Sequence, residues 1–325
     1  GVKRVNVETH LSVTAACSAE WVPIRPKTDA AFMFALLHVL THEVPLERLD
    51  VAFLRDRTAS PYLVGPDGYY LRDAASGKPL LWDTLTQSAV PHDTPGTVPA
   101  VIGRFTVAHA VSHLADGEVA VHHDASAQTA FGEMVDMLRA YSPEWAAQVC
   151  DVPAATMRRV ALEFLDAACV GQTTVVEGRT LPYRPVAVTL GKTVNNGWGA
   201  FECCWGRTML ATVVGALEVP GGTLGSTVRL NKPHDNRLAS AVPGDDGFMA
   251  CNFNPTTEKG WSAKPTGRNA HRTLIPHVGN SPWSQALGPT HLAWMFMNEA
   301  PENWPQPSLP ELWFAYRTNP AVSFF

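Results

Sequence analysis

Residues 21–40, WVPIRPKTDAAFMFALLHVL, follow a strand-like segment at Val2–Val7, and this pair of elements decides the fold. Between them lie a polar turn, Glu8-Thr9-His10, and a short spacer rich in Ala and Ser. Pro23 and Pro26 then punctuate an extended arm, because each proline holds the residue before it, Val22 or Arg25, out of the helical region. A helix is predicted to start at Thr28 or Asp29, with Thr28 as its cap and Asp29 in the first turn, where the positive end of the helix favours a carboxylate. Ala30, Ala31, Phe34, Leu37, His38 and Thr41 fall along one stripe, and Phe32, Leu36, Val39 and Leu40 extend the apolar surface nearly all round. A helix so apolar must be buried, as in a layered α/β domain.

Outward from this unit, the composition is that of a folded chain. Its 325 residues carry 46% hydrophobic content, enough for one large core or two smaller ones. A net charge of −5, with basic residues scattered along the chain, argues against a nucleic-acid surface. No apolar run reaches the roughly 20 residues that span a bilayer, so a membrane link is expected only through partner subunits. The six cysteines, at 17, 150, 169, 203, 204 and 251, contain no Cys-x-x-Cys pair, so neither a zinc ribbon nor an iron–sulfur site is encoded here. Reduced, mostly buried thiols are expected. The chain starts at Gly1 beside a strand, stops at Phe325 after an apolar run and carries no targeting segment, so it reads as an internal piece of a longer polypeptide. Its compartment, bacterial periplasm or cytoplasm, is left open.

Four stretches follow in order. Residues 1–45 read as the first β–α part of an α/β domain. Residues 46–126 read as a hairpin-rich insertion, in which Pro66-Asp67-Gly68 between Leu63-Val64 and Tyr69-Tyr70-Leu71 is a turn signal. Residues 127–230 form the second part of the domain. Ser142-Pro143 and Asp151-Val-Pro153 mark helix starts there, and Glu144 and Glu163 read as a helix-start charge and a solvated face. Thr173–Val176 and Pro185–Leu190 are strand candidates. A tight segment from Gly191 through Asn195, Asn196 and Gly197 to Gly199 then leads into a helix predicted over Cys203–Leu217, which stops at Val219-Pro-Gly-Gly. Residues 231–325, rich in Pro and Trp, return to a final core strand running into Thr318-Asn319-Pro320. A polar turn at the carboxyl end of a strand is where α/β sheets bind ligands.

Common motifs fail on inspection. Gly191-Lys192-Thr193 lacks the glycine that a phosphate-binding P-loop needs five positions earlier, where Val186 stands. Gly197-x-Gly199 is followed by Glu202, not glycine, at the offset of a nicotinamide-dinucleotide fingerprint. No Gly-x-Ser-x-Gly elbow supports a hydrolase. His38 and His42 have metal-ligand spacing along a helix, but no third ligand can be named, and a buried His38 with a capping or solvent-facing His42 is the expected reading. His122-His123 is expected in a loop.

The run VNVETHLSVTAACSAEWVPIRPKTDAAFMFALLHVL resembles the cofactor-binding core of the molybdopterin oxidoreductases of the dimethyl sulfoxide reductase family, with its strand, acidic turn, Trp-x-Pro-x-Arg-Pro-x-Thr-Asp and helix. YSPEWAA followed by VPAATMRRVALEF, the strand–Gly/Asn loop–helix–Pro-Gly-Gly order, and the Arg-x-Asn-Pro turn at Arg317–Pro320 extend the resemblance. Where many relatives have Asp-Pro-Arg this chain has Glu8-Thr9-His10, keeping a carboxylate with longer reach. Where they have Pro-Gly-Thr-Asp it has Pro26-Lys27-Thr28-Asp29, placing a side chain where the backbone was bare.

The resemblance implies an α/β fold with a Rossmann-like parallel sheet and hairpin insertions. It also implies molybdopterin guanine dinucleotide carrying molybdenum or tungsten, in the catalytic subunit of an oxidoreductase. Asp29 would accept hydrogen bonds from the guanine edge, Arg25 and Lys27 would neutralise pyrophosphate, and Glu8, Thr9 and His10 would reach ribose or phosphate. Asn195 and Asn196 would serve the pterin, with Gly191, Gly197 and Gly199 allowing close backbone approach and Asn319 closing the set. The metal ligand and a 4Fe-4S cluster are expected in a part preceding Gly1, so no catalytic residue is assigned here and this piece alone is not expected to turn over. Two-electron chemistry at the metal, often oxygen-atom transfer, implies two partners: the rest of the catalytic subunit, and with it an iron–sulfur subunit for electron transfer. Lys27 and the Trp/Pro-rich tail suggest a branch acting on hydrocarbon or aromatic-acid substrates. The alternatives are a cofactor-free structural relative within a respiratory complex and a free-standing Rossmann-like binding protein.

Overall fold

The computed structural model describes residues 2–114, 118–191, 194, 199–223, 241–243 and 249–251. The chain divides into two compact units, one of residues 1–233 with 244–248 and the other of 234–243 with 249–325. In the second unit, strands β10 (Ala241–Pro243) and β11 (Met249–Cys251) pair antiparallel. All other described elements belong to the first unit, which is of mixed α/β class. Most of the 231–325 stretch, including Asn319, lies outside the described residues.

Strand β1 (Val5–Glu8) pairs in parallel with β2 (Glu20–Pro23), in the register Val5↔Glu20 to Glu8↔Pro23. The proline-punctuated arm is therefore partly a strand. A one-turn helix, α1 (Val13–Ala16), fills the spacer, with the Ser12 hydroxyl accepting from the Ala15 N–H. Helix α2 (Asp29–His38) starts where predicted, but Thr28 does not cap it. Its hydroxyl donates instead to the Arg25 carbonyl at 2.7 Å. Helix α2 is the centre of the unit: Ala31, Phe32, Ala35, Leu36 and Leu37 are buried, and helices on several sides pack against it. Each large side chain so enclosed stabilises the fold by about 1.5–3 kcal/mol. The helix runs on into a π-helical turn, Val39–Glu43.

After a 3-10 turn at Leu46–Arg48 and helix α3 (Val51–Arg57), the insertion brings β3 (Leu63–Val64), β4 (Leu80–Asp83), β5 (Ser88–Pro91), β6 (Arg104–His113) and β7 (Val119–Thr129). The Pro66-Asp67-Gly68 turn forms as expected. Gly65 and Tyr69 are joined by an N–H···O bond of 2.8 Å, and Gly68 sits at φ +80. The long β6–β7 ribbon has no counterpart in the sequence reading, and His122-His123 lies on β7 rather than in a loop. Much of the ribbon faces solvent, so Ala, His, Ser and Thr replace the apolar alternation by which strands are recognised. Its inner residues Val107, Ala110 and Ala127 join Leu63, Leu71 and Leu80 in a small core of their own.

Helices α4 (Ala130–Leu138), α5 (Pro143–Cys150) and α6 (Ala154–Ala167) follow. Ser142 caps α5 and Pro143 opens it, as its sequence predicts. Glu144 and Glu163 are both engaged, Glu144 with Arg158, which also holds Glu43, and Glu163 with Lys3 and Arg159. The Arg158 guanidinium brings Glu144 down to about 2. Strand β8 (Thr173–Val176) pairs antiparallel with β9 (Arg179–Pro182) across Glu177-Gly178, both at positive φ. Pro185–Leu190, expected as a strand, forms none. Helix α7 (Ala200–Val213) ends earlier than predicted, in a Schellman turn: Ala216 N–H reaches Ala211 O at 2.8 Å and Gly215 stands at φ +68. Among the described residues, β1–β2 is the parallel strand pair and the remaining strand pairs are antiparallel.

Candidate functional site

Parallel pairing puts the carboxyl ends of β1 and β2 on one edge, because Glu8 stands opposite Pro23. The same edge therefore carries the Glu8-Thr9-His10 turn and the Arg25–Thr28 connection into α2. Helix α7 lies alongside α2 in the same direction: a Cβ on Gly199 would lie 3.9 Å from Ala30, and one on Gly206 would lie 3.0 Å from the Met33 Cβ. Two helix N-termini thus stand side by side. Each contributes unsatisfied N–H groups and a partial positive charge, an environment suited to anions. Gly199, at φ +74, opens α7 with bare backbone and no side-chain cap.

Asp29 lies in this setting half-buried, and its carboxylate takes no hydrogen bond among the described residues. Its charge reaches Cys203 on α7. Burial first, then the Asp29 charge and Cys204, push the Cys203 thiol up to about 12, so it stays protonated and uncharged. Lys27 is exposed and adopts φ +64, a conformation that lysine rarely takes. Thr9 and His10 are exposed at the end of β1.

Other expected site residues are used by the chain itself. The Glu8 carboxylate accepts from Ser12 Oγ at 2.6 Å and Asn6 Nδ2 at 2.8 Å; the Ser12 bond leads in holding it below its usual range. The Glu8 carbonyl accepts the Trp21 indole N–H at 2.9 Å, which welds the turn to β2. Arg25 turns toward α5: its N–H donates to Cys150 O at 2.9 Å and its guanidinium to Val149 O at 3.2 Å. Gly191 is exposed and accepts from the Val194 N–H at 3.1 Å. Asn195, Asn196, Gly197 and Asn319 lie outside the described residues.

His38 and His42 meet helix α4 with their ring nitrogens. Carbonyls only accept, so His38 Nδ1–H donates to Leu138 O (2.9 Å) and His42 Nε2–H donates to Val135 O (2.8 Å). Among the described residues no group of three potential ligands is placed to hold a metal ion, and no helix is long and apolar enough to cross a membrane.

Two clusters escaped sequence reasoning. Asp67, in the insertion's first turn, meets Ser112 and also His122 Nε2 at 3.1 Å, while Ser112 Oγ lies 2.8 Å from the same nitrogen. Both partners converge on one ring nitrogen, so this arrangement ties the turn to the ribbon and lacks the relay order of a nucleophilic triad. Buried Arg184 holds Asp50 at 2.7 Å and also donates to the carbonyls of Val214, Gln172 and Tyr183. Neither cluster has a local sequence signal, because its members come from distant segments.

The unit is thus of mixed α/β class, with the N-termini of α2 and α7 side by side. No family model matches the chain. Similarity is found to one subunit of the sulfite dehydrogenase of Allochromatium vinosum, at 26% identity over 277 residues, covering 77% of this chain and 26% of that protein. The chain thus spans about a quarter of the length of this relative, which is by its name part of an oxidoreductase.

Proposed function

We propose that the chain is the central cofactor-binding portion of the catalytic subunit of a molybdenum or tungsten oxidoreductase, holding one pterin guanine dinucleotide. The observation that carries this reading is the juxtaposition of the α2 and α7 N-termini, with the half-buried Asp29 carboxylate and the bare Gly199 backbone between strand ends and helices. The sequence resemblance and the similarity to an oxidoreductase subunit support the same reading.

The residues fit such a group. A guanine edge presents adjacent N–H donors, and Asp29 offers a carboxylate whose oxygens accept. The two helix ends favour phosphate. Gly199 stands at φ +74, a conformation that favours glycine, and it leaves the start of α7 without a side chain. When bound, the metal–pterin group would supply two-electron redox chemistry, and this chain's residues would bind and orient it. The neutral Cys203 thiol adds no second negative charge beside Asp29. In this reading an iron–sulfur cluster and the metal's amino-acid ligand belong to other parts of the polypeptide, and an iron–sulfur subunit carries electrons onward.

The test is metal and nucleotide content of the full-length subunit. Molybdenum or tungsten with guanine nucleotide is expected. Asp29→Ala should lower nucleotide content about ten-fold or more, since a charge-assisted contact contributes about 1.5–3 kcal/mol. Unchanged content in Asp29→Ala would remove the guanine site from α2. A second reading, a cofactor-free structural relative, is favoured by the internal engagement of Glu8 and Arg25; a matured protein without metal would establish it.

A further inference from the structure

We infer that His109 and His123 form a two-imidazole site for a divalent transition-metal ion, which clips strand β6 to strand β7. The site stands apart from the proposed cofactor. The two residues lie directly opposite each other in the β6–β7 register, so their side chains leave the same face of the ribbon. Their ring centroids are 5.0 Å apart and their planes are tilted by 31°. An ion bound by nitrogen sits roughly 2.0–2.1 Å from each donor, which puts two rings on one ion about 4.5–5.2 Å apart for bond angles of roughly 90–109°. The observed spacing falls inside that range.

Other histidines of the described residues are already committed. His38 and His42 are also close, yet each donates a ring N–H to a carbonyl of α4. His122 is taken by Asp67 and Ser112. His109 and His123 are both exposed, and neither has a hydrogen bond among the described residues. Their rings can turn a nitrogen toward a shared ion without breaking another contact. The backbone beneath them is fixed, because β6 lies between β7 and Arg72. The Arg72 N–H donates to Val111 O at 2.7 Å, and its carbonyl accepts from the Val111 N–H at 2.9 Å. Two donors on a rigid ribbon lose little freedom when they bind. The Asp73 carboxylate, held low first by the Ser76 hydroxyl, is near enough to feel the His109 charge, and its own charge favours a cation there. Neutral imidazole suits copper, nickel and zinc, and two protein donors leave the ion's other positions to water.

The experiment titrates Cu²⁺ into the full-length protein at about pH 7.5, where imidazole is ordinarily unprotonated, and repeats the titration on His109→Gln, His123→Gln and, as a control, His113→Gln. Saturation of one site is expected, with coupling to two nitrogens in the copper electron paramagnetic resonance spectrum. The second imidazole binds intramolecularly, so His109→Gln and His123→Gln should each weaken the site by about 10²-fold and leave one coupled nitrogen. His113→Gln should match the wild type. With Zn²⁺ bound, amide exchange should slow across residues 105–111 and 121–127 and stay unchanged in α2. If His109→Gln and His123→Gln take up Cu²⁺ as tightly as the wild type, the ion sits elsewhere and the proposal fails. Ribbon exchange that ignores Zn²⁺ overturns the clip. None of these readouts involves guanine nucleotide, molybdenum or tungsten, so failure here and failure of the cofactor reading are separate results.

Discussion

At the scale of single residues, Arg184 carries the greatest structural weight. Its guanidinium and the Asp50 carboxylate are both nearly enclosed, and Asp50 also caps α3 through the Phe53 N–H at 3.0 Å. Gly215 leaves room for the pair: a Cβ there would collide with the Asp50 carboxylate. Removing one partner of a buried pair strands the other charge, so Arg184→Ala is expected to cost about 3–5 kcal/mol in urea unfolding. Asp50→Asn combined with Arg184→Met should recover part of that loss. Asp83 is a second singular residue. It accepts from the N–H groups of Val98, Leu85 and Thr86 and from the Thr86 hydroxyl, led by Val98, and these bonds hold it at about 2. A carboxyl depressed in the folded state contributes stability that is present above its unfolded value of about 4 and lost as pH falls through about 2. Thermal unfolding followed from pH 5 to 2 should therefore steepen in the wild type relative to Asp83→Asn.

At the scale of elements, the α2–α7 contact sets the spacing of the two helix N-termini. Gly206 makes the close approach possible, and a larger residue would push Met33 and Phe34 away. Gly206→Leu is expected to cost about 1–3 kcal/mol in urea unfolding and, on the proposed cofactor reading, to reduce the nucleotide content of the full-length protein. The joint between α2, with its π-helical extension, and α4 is made by His38 and His42, whose ring centroids are 4.7 Å apart. Burial first, then the charges of His38 and Arg139, hold His42 below its ordinary 6.5, against the opposing pull of Val135 O and Asp136. A depressed histidine contributes stability above about 6.5 that is lost as pH falls below it. Amide exchange around Leu138–Tyr141 should accelerate, after correction for intrinsic rates, between pH 7.5 and 5.5, and His42→Gln should flatten that response. Helix starts were legible locally: Ser142-Pro143 carries its own capping chemistry. Thr28 was legible as a helix boundary but not as a hydroxyl that closes the preceding turn, since both uses need the same residue type.

At the scale of the molecule, the described residues of the first unit form two hydrophobic cores of unequal size. The larger is built around α2, with Leu37, Leu40, Leu138, Met157 and Leu210 deeply enclosed; the smaller holds Leu63, Leu71, Leu80 and Val107 within the insertion. Opening free energy follows buried apolar area, so native-state hydrogen exchange should release β3–β7 at lower denaturant than α2 and α7. Leu71→Ala should weaken the first set and leave the second nearly unchanged; equal loss in both would show that the cores unfold as one.

The sequence by itself determined the helices and turns whose causes are local: proline and capping residues at the entrances, glycine at the exits, and an all-round apolar stretch that could only be buried. It also carried the resemblance to a cofactor-binding core. Only the tertiary structure decided that Arg25 turns to α5, that Glu8 is held within its own loop, and that Lys27 sits in a glycine-like conformation. It also decided that Asp50 and Arg184 find each other across 134 positions. Spacing along a chain reports dihedral preference and periodicity, whereas the partner a charge chooses is set by which segments packing brings within about 3 Å.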